Sequence, residues 1–251
     1  MNAAISQTAV QVRSVCKSFG AQRVLDGVDL EVAQGETLAI LGQSGTGKSV
    51  LLKLIIGLQQ ADGGSIRIHD TEVVGIALQQ MQELRQRIGF VFQSAALYDS
   101  MTVAENVAFP LKRHAHLSDA DCRTQVQQLL ASVGMEEALD KMPDQISGGM
   151  KKRVGLARAL ALSPDILLFD EPTTGLDPIT AAEISELILK LQRERKVASI
   201  IVTHDVQVAQ QVANRLALLR DGRILITGSF EDLKNSHDAF VSKFLKSAWQ
   251  G

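Results

Sequence analysis

The chain has 251 residues, 45% of them hydrophobic, enough to bury one large α/β core and cramped for two full domains. Its formal charge of −2 provides no overall basic field, so net charge gives a nucleic-acid partner no support and none is expected. No apolar stretch approaches the roughly 20 residues of a membrane-spanning helix, and Met1-Asn2-Ala3-Ala4-Ile5-Ser6 lacks the features of a secretion signal, so a cytosolic protein is expected. Cys16 and Cys122 lie far apart without metal-ligand spacing, as free thiols of a reducing compartment do.

Residues 9–15 and 24–32 alternate apolar and polar side chains, predicting half-buried antiparallel strands about a turn at Gly20-Ala21-Gln22. Phe19 borders that turn, where an aromatic either packs internally or stacks on a bound base. The run Thr37-Leu38-Ala39-Ile40-Leu41 reads as a strand, Gly42-Gln43-Ser44-Gly45-Thr46-Gly47-Lys48-Ser49 as a glycine loop, and residues 50–56 as a helix opening at Val50. Asp62-Gly63-Gly64 signals a turn before a short strand at 65–68. A polar helix at 79–87 and a buried strand at 88–92, ending at Gln93, follow.

From Ser94 to Leu162 the pattern is helical, with helices expected at 102–111, 118–133, 135–141 and 149–162. Ser118-x-x-Asp121 reads as a cap and Gly134 as a stop. A helical block between strand-rich parts predicts an inserted α-helical subdomain at about 94–162, between core lobes at about 1–93 and 163–229. Strands are expected at 165–170 and 198–203, helices at 178–193 and 206–213. Asp221-Gly222, a type I′ hairpin signature, joins strands at 215–219 and 223–227. A helical tail at about 230–251 carries Phe240, Val241, Phe244 and Leu245 at helical spacing, with Trp249 close by.

Strand, glycine loop and helix together form a nucleoside-triphosphate cradle. Loop N–H groups and the positive helix end face the phosphates, Lys48 reaches the β and γ phosphates, and Ser49 offers a hydroxyl to Mg²⁺. Leu167-Leu168-Phe169-Asp170-Glu171 supplies the other half: on a strand expected beside the loop strand, Asp170 holds Mg²⁺ through water and Glu171 polarises the attacking water. Gln93 and His204 each end a core strand, where Gln93 reaches Mg²⁺ or the water and His204 the γ-phosphate; a structural hydrogen-bonding role is the alternative for each. Ser147-Gly148-Gly149 opens a helix and is either a second anion site or an ordinary N-cap.

In order, Phe19, Gly42 to Ser49, Gln93, Ile146-Ser147-Gly148-Gly149-Met150, the strand ending at Glu171, Gly175-Leu176-Asp177 and His204 resemble the A-loop, Walker A, Q-loop, signature, Walker B, D-loop and H-loop of ABC-transporter ATPase subunits. The resemblance spans nearly the whole chain and implies the α/β P-loop ABC ATPase fold with an antiparallel β lobe. It implies ATP hydrolysis with Mg²⁺ in a head-to-tail dimer, where Ser147, Gly148 and Gly149 of one copy close over ATP held by Lys48 of the other. Glu171 is then general base or water-positioner, His204 the γ-phosphate sensor and Asp177 a contact across the dimer.

The signature departs from the usual Leu-Ser-Gly-Gly-Gln at Ile146 and Met150, but keeps the serine and glycines that contact phosphate. Residues 146–154 and 92–111 resemble ATPases of MCE-type lipid transporters, the Mla (maintenance of lipid asymmetry) and toluene-tolerance group. That likeness implies a permease dimer, an MCE-domain lipid-binding assembly and often a STAS-domain partner, with the ATPase peripheral on the cytoplasmic face of the inner membrane and phospholipid as cargo. Leu97, Tyr98 and Met101 would then serve partly in docking a permease helix and partly in internal packing. A polar-solute importer and an Fe–S-assembly ATPase are the alternatives. His114 and His116 lack a third metal ligand and read as a solvated loop, and Lys151-Lys152-Arg153 reads as a solvated or interface face.

Overall fold

Alternating apolar positions draw β1 (Thr8–Phe19) and β2 (Gln22–Ala33) into an antiparallel hairpin whose inward side chains, among them Val10, Val12, Leu25 and Val28, are fully buried. This computed structural model describes residues 7–115 and 117–247, so His116, Trp249 and residues 1–6 lie outside the described residues. Both strands are longer than expected, and the turn tightens to Gly20 and Ala21. β3 (Thr37–Leu41) leads through the glycine loop into α1 (Lys48–Ile55), and β4 (Gly63–Ile68) and β5 (Thr71–Glu72) extend the hairpin into a four-stranded sheet of order β2-β1-β4-β5. α2 (Leu78–Gln86) and β6 (Ile88–Val91) return the chain to the core.

The helical stretch contains α3 (Val103–His114), α4 (Asp119–Ser132) and α5 (Gly148–Ala159). Thr102 and Glu105 form a capping box on α3, and Ser118 accepts from the Asp121 N–H as its spacing predicts. The helix expected at 135–141 is absent; only 3₁₀ turns at Glu136–Ala138 and Pro143–Gln145 form. Gly134, at φ 68°, ends α4, and Pro143 holds Met142 extended, leaving too few residues between these breaks for a helix to propagate.

β7 (Ile166–Asp170), α6 (Pro178–Arg195), β8 (Ala198–Thr203), α7 (Val206–Val212), β9 (Arg215–Arg220) and β10 (Arg223–Gly228) complete a six-stranded sheet of order β10-β9-β3-β8-β7-β6. All its pairings are parallel except β9 with β10. Every residue of β3, β7 and β8 is buried, as strands covered on both faces must be. Leu168, Ile200 and Val202 face the β-lobe side, whereas Leu167, Phe169 and Ile201 face the helices on the other. Asp221 and Gly222 sit at φ 48° and 77°, the left-handed pair a type I′ turn requires.

Strand order corrects one expectation. β8 separates β3 from β7, so the strand ending at Asp170 is not the neighbour of the loop strand. The tail is also two helices, α8 (Phe230–Lys234) and α9 (Ala239–Ser247), because Asp238 accepts from the Phe240 and Val241 N–H groups and starts a new helix after Asn235. Val241 and Leu245 of α9 pack with α7 and β9, and Arg220 lies 4.1 Å over the Phe240 ring. No helix among the described residues is long and apolar enough to cross a membrane.

Candidate functional site

The loop after β3 needs glycine for two reasons. Gly47 has φ 99°, and a Cβ there would lie 2.9 Å from both Val24 and Leu25 of β2; a Cβ on Gly42 would lie 2.6 Å from the Leu219 carbonyl oxygen. α1 begins at Lys48 with no side chain capping its first turn, so its N–H groups and positive end suit an anion. Lys48 is 5% exposed, and its Nζ donates to the carbonyls of Gly42 (2.8 Å) and Gln43 (3.0 Å). Burial lowers its pKa from the usual lysine range, opposed by the negative charges of Glu171 and Asp170. Ser44, Thr46 and Val50 lie along the same loop and first helical turn.

Ser49 Oγ donates to Asp170 Oδ1 at 2.6 Å, spanning the intervening β8 because Ser49 stands on the first turn of α1 above the sheet. Glu171 follows with Oε1 3.5 Å from Lys48 Nζ and Oε2 2.9 Å from His204 Nδ1. Thr174 Oγ1 also donates to that Oε2, at 3.1 Å. Asp170 and Glu171 are buried, whereas the His204 side chain is half exposed. One hydroxyl and one carboxylate at hydrogen-bond distance are a fit donor set for Mg²⁺, which ordinarily takes one or two protein oxygens and completes its shell with water and substrate phosphate. Among the described residues no group of three or more His, Cys, Asp or Glu side chains forms a separate metal site.

Lys48, Ser49, Asp170, Glu171 and His204 are therefore one contact cluster, joined from α1 and the ends of β7 and β8. Gln93 comes near it through its backbone: its side chain is exposed, and its carbonyl accepts from Lys152, which also reaches the Glu171 carbonyl. Phe19 is 46% exposed with Lys17 Nζ 5.3 Å from its ring centroid, and Lys17 pairs in register with Leu25 beside Gly47. Ser147 caps α5 by accepting from the Met150 N–H, which leaves its own hydroxyl proton to donate. Gly148 and Gly149 pack beside Leu176 and Thr180. Asp177 caps α6, and the Thr180 hydroxyl bond, with the backbone N–H bonds, holds its pKa below the usual carboxylate range.

Several contributors went unread in the sequence. The basic run was expected on a solvated or interface face, yet within the chain Lys152 is buried and Arg153 donates to the Val133 carbonyl and to Glu183. Helical spacing carried the signal, since Lys152 is three residues from Gly149 and four from Leu156, both buried. Of the three docking candidates only Tyr98 is exposed, at 45%; Leu97 and Met101 are partly buried. Fully buried Asn106 organises this loop, accepting from the Tyr98 N–H and donating to the carbonyls of Tyr98, Met101 and Thr102. His114, exposed, ends α3.

The family described as ABC transporter matches residues 25–174. The probable ribonucleotide transport ATP-binding protein mkl of Mycobacterium leprae is 40% identical over 237 residues, covering 94% of this chain and 68% of that protein. This chain spans about two thirds of the length of such mycobacterial relatives. The intermembrane phospholipid transport system ATP-binding protein MlaF of Haemophilus influenzae is 37% identical over 247 residues, covering 98% of this chain and 94% of that protein. Among solved structures, the dimeric post-hydrolysis state of the ATP-binding cassette MJ0796 bound to ADP and Pi superposes with a TM-score of 0.81 at 33% identity, covering 88% of this chain and 98% of that one. This chain belongs to the ABC transporter family and is an ATPase that takes its ATP with Mg²⁺.

Proposed function

We propose that this chain is the motor of a transporter that moves phospholipid between the inner and outer membranes, working as a head-to-tail pair on the cytoplasmic face of a permease dimer. The observation that carries the chemistry is the buried cluster of Lys48, Ser49, Asp170 and Glu171 with His204 at its edge. Lys48 and the loop N–H groups hold the β and γ phosphates, with Phe19 against the base. Ser49 and Asp170, with Gln93, hold Mg²⁺, which when bound neutralises charge on the transferring phosphoryl group. The Glu171 carboxylate orients the attacking water and accepts its proton, and His204 reports the γ-phosphate.

In the pair, the Ser147 hydroxyl and the N–H groups of Gly148 and Gly149 from one copy close over phosphate on Lys48 of the other, with Asp177 in the contact between copies. The relative MJ0796 is described as a dimer in its post-hydrolysis state. A groove of about 650 Å³, lined in part by Phe90, Phe92, Tyr98, Phe109, Arg113 and Arg158, suits an inserted permease helix. Lipid as cargo is supported by likeness to MlaF along almost all of both chains. An MCE-domain lipid-binding protein and a STAS-domain protein belong to the same reading. The ribonucleotide-transport relative favours a second reading, a polar solute as cargo.

Glu171→Gln is expected to bind ATP and accumulate as a closed dimer on size exclusion, with hydrolysis nearly abolished; wild-type turnover would remove Glu171 from its role. For the cargo, the complex co-purified from detergent extract should transfer labelled phospholipid between vesicles on addition of ATP. ATP-dependent uptake of a ribonucleotide without lipid transfer would overturn the lipid reading.

A further inference from the structure

Glu171 carries an unusual backbone. Its φ is 47°, in the left-handed region that a non-glycine residue rarely adopts, and the next residue is Pro172, which further restricts the conformation before it. Such a conformation persists only where its surroundings hold it. Here both backbone polar groups are held: the Glu171 N–H donates to the Val202 carbonyl at 2.9 Å, and the Glu171 carbonyl accepts from Lys152 Nζ at 3.2 Å and from the Thr174 N–H at 3.3 Å. Of these three bonds only the one from Lys152 comes from a side chain, so it is the one that substitution can remove.

The same ammonium donates to the carbonyl of Gln93, the second residue after β6. Residues 93–96 are gripped further along α5. Arg158 donates to the carbonyls of Ala95 (2.7 Å) and Ala96 (2.8 Å), both at left-handed φ of 62° and 47°. A Cβ on Gly155 would lie 3.3 Å from the Ala95 Cβ, so segment and helix are in close contact. Lys152 thus joins three bodies: the segment after β6, the helix that Ser147 caps, and the turn after β7 that aims the Glu171 carboxylate. Its burial depresses its pKa, offset by the charges of Glu171 and Asp170 nearby.

We propose that Lys152 is a positioning residue for ATP hydrolysis, its ammonium setting the Glu171 carboxylate by tying the Glu171 carbonyl to that of Gln93. The proposal rests on the reading of Glu171 as the residue that acts on the attacking water. It assigns Lys152 an effect on turnover and none on nucleotide binding, because Lys152 bonds to carbonyls of residues 93 and 171 while Lys48 Nζ keeps its bonds to the Gly42 and Gln43 carbonyls.

The test is single-turnover and steady-state hydrolysis by the full chain carrying Lys152→Met or Lys152→Arg, with affinity for a fluorescent ATP analogue measured in parallel. Lys152→Met should lower kcat about tenfold or more while KM and analogue affinity stay within about twofold, since a small misplacement of a reacting group costs rate and not binding. Lys152→Arg, which keeps donors for both carbonyls, should recover most of the rate. In a Glu171→Gln background, Lys152→Met should add no further loss, because its effect runs through the carboxylate already removed. Turnover of Lys152→Met within about twofold of wild type, or a loss that multiplies independently on Glu171→Gln, overturns the proposal. If Lys152→Met does not fold, Lys152→Gln, with its shorter amide donor, is read by the same criteria and should show an intermediate loss. A normal rate in Glu171→Gln would defeat the underlying reading; an inactive Glu171→Gln beside a normal Lys152 variant defeats this proposal alone.

Discussion

Asn106→Ala isolates a single buried amide that holds the loop ahead of α3. Asn106 accepts from the Tyr98 N–H at 2.8 Å and donates to the carbonyls of Tyr98 and Met101 at 3.1 Å and Thr102 at 3.0 Å, with no solvent exposure of its own. The four groups do not lose equally. The Tyr98 carbonyl keeps the Met101 N–H and the Thr102 carbonyl keeps the backbone N–H of residue 106, so the Tyr98 N–H and Met101 carbonyl are the groups left in need. Leaving these two part-buried groups unpaired costs about 1–3 kcal/mol each, and the better helix propensity of alanine returns about 0.5 kcal/mol. The expected net loss is about 3 kcal/mol, read from urea unfolding followed by far-UV circular dichroism at unchanged m-value. Asn106→Asp should lose at least as much, because it keeps the acceptor for Tyr98 and turns a carboxylate oxygen toward three carbonyls. A loss below about 1 kcal/mol for Asn106→Ala would refute the argument that this amide holds the loop.

Ser49→Ala removes the hydroxyl that meets Asp170 Oδ1, and a Mg²⁺ titration of ATPase activity should show the half-maximal concentration rising about tenfold or more. An alanine Cβ at Gly149 would lie 2.5 Å from Thr180 Cγ2, so Gly149→Ala should destabilise by about 1–3 kcal/mol. Thr180→Ser removes that methyl while keeping the hydroxyl on Asp177, and the double variant should recover most of the loss in thermal melts. The Lys17 ammonium and the Ser18 N–H hold the Asp62 pKa below its usual value of 3.8. A lowered folded pKa gives stability that is present above the unfolded value and lost as pH falls through the folded one. Melting temperature should therefore drop below about pH 4, and less steeply in Asp62→Asn than in wild type.

Much of the site was legible because its signals are local. The glycine loop, the buried runs ending at Leu41 and Asp170, the cap at Ser118 and the hairpin at Asp221-Gly222 depend on dihedral preferences and on spacings of two to four residues. The 135–141 segment misled because helical composition says little when Gly134 and Pro143 stand so close on either side. The basic run at 151–153 misled because charge suggests solvent, whereas its middle member meets carbonyls from two other segments.

By itself the sequence determined a phosphate-binding loop between a strand and a helix, two acids at the end of a buried strand, and a second helix N-terminus with a serine and two glycines. Those are properties of neighbouring residues and their backbone preferences. Only the tertiary structure decided that β8 stands between the loop strand and the acid strand, and that Ser49 still meets Asp170, 121 residues away, from its perch on α1. It also decided that Lys152 turns inward to Gln93, 59 residues distant, and to the carbonyl of Glu171. Strand order and the partners of one ammonium are settled by which buried surfaces and carbonyls meet in the packed fold; helical spacing puts Lys152 on the buried face of α5 but records neither carbonyl it meets.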